Sequence, residues 1–326
     1  MHFIKLTLVT TLCLSMMSQW LPVTASASNW PDITESIITN DEADKKITLA
    51  ADTALERYDY DAMANLGVEN HDLSEHNSLR EAIYALMAEY QIDESQVAIA
   101  YTNLQTGENI YINEDEQMIV ASMYKVPMIA MYIDLINQGV LSWDSQLPYS
   151  EDYFQDGAGD ITAEAKRDYY SLDELAYQAI VYSDNTASLI LYFYYVNNFG
   201  SFRTALLDFV DYYDVPDLYY QDNYGSAYIM NEALVKIASN PIYEPLTDLM
   251  MQTYPKQLFS LFVNNMATKY GQLDEMLNDS GIYYEDGEPV YTLVLMTRDA
   301  NYPEIFIGEL NLLVNEWSHE YKVANN

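Results

Sequence analysis

Strand-like segments sit at two distant places in this chain, with a helix-rich stretch between them. The first pair is Val97-Ala98-Ile99-Ala100-Tyr101 and Asn109-Ile110-Tyr111-Ile112, joined by a turn at Thr106-Gly107-Glu108. The second group covers 266–271, 280–284 and 290–297. A helical pattern at 78–87 precedes the first pair, helices fill about 171–260, and a helix from Phe306 to Tyr321 closes the chain. The order strands, helices, strands, helix predicts an α+β fold. Its antiparallel sheet joins the first and last strands. N- and C-terminal helices flank one face, and a helical lobe lies opposite.

The N-terminus has the pattern of a secretory signal peptide over residues 1–27. Lys5 gives the charged start, Leu6 to Met17 the apolar stretch, and Ala25-Ser26-Ala27 a cleavage site. The apolar stretch is too short to span a bilayer. Cys13, the only cysteine, lies within it. The mature chain then has none, which excludes disulfides, thiolate catalysis and cysteine metal sites. Residues 28–76 are acidic and weakly patterned; they are expected to act as a spacer, with a thin helical pattern over Ala43 to Tyr58. The catalytic domain is expected at 77–326.

Fifty Asp and Glu against 14 Lys and Arg give a net charge of −36. Such a surface repels nucleic acid and anionic lipid. No nucleic-acid partner is expected, and no integral membrane segment after signal cleavage. A secreted, extracellular monomer is the expectation.

Chemistry enters at Ser122-Met123-Tyr124-Lys125, at the head of the apolar run Val126 to Ile133. A serine hydroxyl is a poor nucleophile until a base takes its proton. A lysine one helical turn later shares its face, and a neutral amine could be that base. The spacing alone is weak evidence. Ser183-Asp184-Asn185 and then Lys269-Tyr270-Gly271 follow in order.

S-x-x-K, S-D-N and K-T-G in that order resemble the penicillin-recognising serine hydrolases, and the class A β-lactamases and their non-lactamase relatives in particular. The resemblance runs from about Asn77 to the C-terminus and includes Asp156-Gly157-Ala158-Gly159-Asp160-Ile161. It implies Ser122 as nucleophile, Lys125 as its base, and Ser183 as the bridge that moves a proton to the leaving nitrogen. It implies substrate binding by Asn185, Lys269, Tyr270 and Gly271, with Gly271 giving a substrate backbone room at the strand edge. Asp184 is expected to point inward and fix its loop. Asn278-Asp279-Ser280-Gly281-Ile282 matches the segment that follows K-T-G in the family.

Two departures matter. Tyr270 stands where the family has a small hydroxyl residue, so it either turns away or narrows the carboxylate site. The E-x-x-L-N loop, whose glutamate activates the deacylating water, has no counterpart between Asn185 and Lys269. Asp222-Asn223-Tyr224-Gly225-Ser226-Ala227 looks like the end of a shortened loop. Glu232 and Glu244 read as surface charges. His2, His71, His76 and His319 lack metal-ligand spacing and read as exposed bystanders; no cofactor and no metal are expected.

The resemblance implies a secreted serine hydrolase, acylated at Ser122 by β-lactams or peptide-like amides and esters and slow to deacylate. Its partner would be a small β-lactam or a cell-wall peptide. Two other readings stay open: a catalytically weak binding module for cell-wall peptides on the same fold, and a peptidase or esterase with a non-β-lactam substrate.

Overall fold

The computed structural model describes residues 57–324. The signal segment, and the expected spacer up to residue 56, lie outside the described residues.

Asp59 caps α1 (Tyr60–Leu66) by accepting from Ala62 N, and Gly67 ends it in the left-handed region. Ser78 caps α2 (Leu79–Glu89), whose Leu79, Ile83 and Leu86 form a buried stripe. Then come β1 (Val97–Asn103), β2 (Asn109–Ile112) and the short β3 (Met118–Ile119). One 3-10 turn, Ala121–Tyr124, leads into α3 (Lys125–Asn137). The helical lobe adds β4 (Gln146–Pro148), α4 (Asp160–Ala163), β5 (Tyr169–Ser171), α5 (Leu172–Val181), α6 (Asn185–Phe199) and α7 (Phe202–Val210). It closes with β6 (Tyr224–Gly225), α8 (Ala227–Ala238) and α9 (Glu244–Met251). The chain returns to strands as β7 (Met266–Leu273), β8 (Met276–Glu285) and β9 (Glu288–Thr297), and ends with α10 (Pro303–Ala324).

The five-stranded antiparallel sheet has the order β2-β1-β9-β8-β7. The first and last strands of the domain meet as expected: Val97 pairs with Thr297 and Asn103 with Tyr291. Side-chain alternation feeds two cores. Ala98 and Ala100 of β1, with Val294 and Met296 of β9, face the lobe. Ile99 and Tyr101, with Leu293 and Leu295, face α2 and α10. Helix α3 runs through the lobe core with every residue from Lys125 to Ile133 buried. A helix apolar all round must be central, so the lysine at its head is carried into the interior.

The domain begins before the expected boundary at residue 77. Met63, Val68 and Leu73 are buried in the core beneath α10, and Tyr58 bridges Val263. The few apolar residues of 57–76 are the ones that pack, so a mostly polar stretch of sequence hid a docked segment. Two histidines expected as bystanders are engaged there. His71 Nδ1 lies 2.7 Å from Glu316 Oε2, and its Nε2 lies 3.4 Å from Glu309 Oε1, a charge contact rather than an aligned hydrogen bond. Burial disfavours the imidazolium, but the two carboxylates outweigh it and raise its pKa to about 9. The charged ring thus ties the N-terminal segment to α10. His319 Nε2 lies 3.0 Å from Glu285 Oε1. Among the described residues no helix is long and apolar enough to cross a membrane.

Candidate active site

Lys125 is the head residue of α3 and only 1% exposed. Its Nζ lies 2.8 Å from Ser183 O, 3.2 Å from Ser183 Oγ, 3.3 Å from Asn185 Oδ1 and 3.4 Å from Asp184 O. Burial first, and the charge of Lys269 second, hold its pKa well below the usual lysine value. That shift favours the neutral amine, which is the form a general base requires.

Lys269 on β7 approaches Ser183 from the other side, with Nζ 2.9 Å from Ser183 Oγ. One hydroxyl therefore bridges two lysines. It can accept from the charged Lys269 while donating to the neutral amine of Lys125. Burial lowers the Lys269 pKa to about 7, while the nearby Asp279 opposes that shift. Asp279, 1% exposed, is raised to about 7 by burial, although the N–H groups of Phe259 and Ser280 and the charge of Lys269 pull it down. Sequence reasoning noted the Asn278–Ile282 segment but missed this buried carboxylate. A motif gives the identity of a residue, not the dryness of its site.

Local backbone geometry holds these groups. Ser183 sits at φ +57°, in the left-handed region that non-glycine residues seldom occupy. Asp184 points inward as expected. Its carboxylate accepts from Ala187 N at 2.8 Å, Thr162 Oγ1 at 2.9 Å and Thr162 N at 3.0 Å. Gly159 is required beside it: at φ +103° an added Cβ would lie 2.1 Å from Asp184 Oδ2. Asn185 Nδ2 donates to Asp156 O at 3.0 Å, so the glycine-rich stretch 156–161 forms the wall behind the Ser183–Asn185 turn.

Ser122 lies half-buried in the 3-10 turn before α3, after Ala121 at φ +48°. The hydrogen bonds of Lys125 go to the 183–185 segment and none goes to Ser122 Oγ. The stretch before Ser122 is braced from three directions. Ile119 O accepts from Asn278 Nδ2 at 2.8 Å, and Val120 N donates to Asn223 O at 3.0 Å. Gly271 gives the third brace. An added Cβ there would lie 2.5 Å from Val120 O and 3.0 Å from Ser122 N. The expected role of Gly271 was to admit a substrate backbone. Its direct effect is to let β7 close onto the Ser122 turn.

The Tyr270 ring packs against the core beneath α2 and α10 while staying beside Lys269. Lys269 Nζ lies 4.4 Å from the centroid of its ring and donates to its carbonyl at 3.1 Å. The shortened loop of 211–224 is held by Arg203, which donates to Tyr224 O at 2.9 Å and to the carbonyls of Tyr219, Gln221 and Asp222. Asp222 is exposed at φ +39°. Asn223 Oδ1 is buried without a partner among the described residues. Glu232 is half-buried rather than a surface charge, and burial raises its pKa. It lies near Tyr111 and Tyr228 and makes no bond to the Ser183–Lys269 group.

Solved structures with this arrangement of helices and strands include PBP-A, with a TM-score of 0.61 at 17% identity over 73% of this chain and 96% of that one. A PBP-A mutant in acyl-enzyme complex with penicillin G gives 0.62 at 19% identity over 74% and 96%. A β-lactamase from Sphaerobacter thermophilus gives 0.59 at 19% identity over 76% and 98%. At such identities the likeness is one of fold. No curated protein sequence matches the chain. The beta-lactamase enzyme family, however, matches residues 78–317, nearly the whole folded domain, and the chain belongs to that family.

Proposed function

We propose that the protein is an exported serine hydrolase that works through an acyl-enzyme at Ser122. The observation that carries this reading is the state of Lys125. It is a dry amine one turn after a serine, aimed into a Ser-Asp-Asn turn, with a second lysine bonded to the same Ser183 hydroxyl. A surface lysine would be charged and could not act as a base. Ser122 Oγ would attack a carbonyl carbon as its proton passes to Lys125. The C–N or C–O bond of the substrate would then break, and the proton would return through Ser183 to the departing atom. The gap between Ser122 Oγ and Lys125 is compatible with this, since such contacts tighten when substrate binds. The penicillin G acyl-enzyme of the PBP-A mutant supports β-lactams and peptide-like acyl compounds as the substrate class.

The test is intact-mass analysis after exposure to a fluorophosphonate and to a fluorescent penicillin, followed by peptide mapping. One adduct on the peptide containing Ser122 is expected. An adduct elsewhere sinks the assignment, and no adduct with any probe means that the groove only binds.

Export rests on residues 1–27 of the sequence. N-terminal sequencing of protein from the culture medium is expected to start near Ser28. Membrane-held protein that retains Met1 would contradict it.

A further inference from the structure

Lys269 is the family's anchor for a substrate carboxylate, yet here it is 0% exposed. An ammonium has three donors. One goes to Ser183 Oγ at 2.9 Å and one to Tyr270 O at 3.1 Å. The Tyr270 ring lies against the same ammonium, 4.4 Å from Nζ to centroid. The small hydroxyl that would share a carboxylate with this lysine is replaced by that ring. No arginine takes over. Among the described residues Arg57 pairs with Glu285, Arg167 with Glu174 and Arg298 with Glu116, while Arg80 and Arg203 bond backbone carbonyls. A net charge of −36 further disfavours an approaching anion.

We propose that this active site selects acyl compounds without a carboxylate beside the reacting carbonyl, and that Tyr270 sets the preference. The inference rests on the acyl-enzyme reading above and names its substrate class. With a masked penicillin the step is complete in itself. Ser122 Oγ bonds to the lactam carbon, the C–N bond opens, and the serine proton ends on the lactam nitrogen.

The experiment compares acylation rates of a penicillin and its methyl ester by time-resolved intact mass, with a neutral fluorophosphonate as reference. Wild type is expected to react with the ester roughly ten- to a hundredfold faster than with the acid, the range for desolvating a carboxylate that finds no partner. Tyr270→Thr is expected to move that ratio at least tenfold toward the acid. Tyr270→Phe, which keeps the ring, is expected to retain the wild-type ratio; it remains informative if the threonine variant folds poorly. A wild-type preference for the acid overturns the proposal, as does a Tyr270→Phe ratio that shifts toward the acid. If the fluorophosphonate labels Ser122 but the ester has no advantage, only the substrate inference falls. If nothing labels Ser122, the acyl-enzyme reading falls with it.

Discussion

Lys125→Ala is expected to slow acylation of Ser122 by about two to four orders of magnitude, the contribution of a well-placed general base. Ser122→Ala is expected to abolish it. The amine is dry, and burial first and Lys269 second shift it toward the neutral form that can accept a proton. Acidification protonates it and removes the base. The rate should therefore decline on the acid side, the reverse of a lysine that acts through its positive charge. Time-resolved intact mass with a fluorophosphonate, read across pH, gives both results. An unchanged rate in Lys125→Ala, in a variant shown by denaturant melting to be folded, would remove Lys125 from the mechanism.

The second large effect lies in the step after acylation. Deacylation needs a base beside a water on the ester. The acidic residues of the 211–224 loop, Asp211, Asp214, Asp217 and Asp222, are all exposed. The loop residue tied to the Ser122 segment is Asn223, through its carbonyl to Val120 N. An amide can hold a water but cannot take its proton at neutral pH. Without a base, deacylation loses about 10² to 10⁴ in rate while acylation, served by Lys125, does not. An acylating chromogenic substrate is therefore expected to give one equivalent of product in a burst, then very slow release. Stopped-flow absorbance reads both phases. Steady turnover at roughly tens per second without a burst would show that another group supplies the base. Asp222→Asn would be the first variant to make.

Much of this arrangement was legible in the residues. Short apolar, β-prone runs marked Val97–Tyr101 and 290–297 as strands, and the order strands, helices, strands led to the expectation that they meet. The motifs pointed to Lys125, Ser183, Asn185 and Lys269 as one site, and the fold brings them together: the first three sit at helix starts and Lys269 within β7. The rest depended on packing. Gly271 read as room for a substrate, yet its crowding is against Val120 and Ser122. Tyr270 could have turned either way, since a tyrosine fits both a wet and a dry setting. Its place over Lys269 follows from how deeply that lysine is drawn in. His71 looked idle because its carboxylate partners lie on the last helix of the domain.

The closing strand also has a consequence for synthesis. Val97–Asn103 has no partner on its inner edge until Glu288–Thr297 has emerged, after the whole lobe between them. Lys269 and the glycine that seats Ser122 likewise come late in translation. Such long-range pairing folds slowly, because a large loop must close before any contact rewards it. A nascent chain stopped before β9 carries Ser122 and Lys125 but lacks the strand that joins β1 to β8. On the proposed reading, acylation at Ser122 would therefore await the last strand.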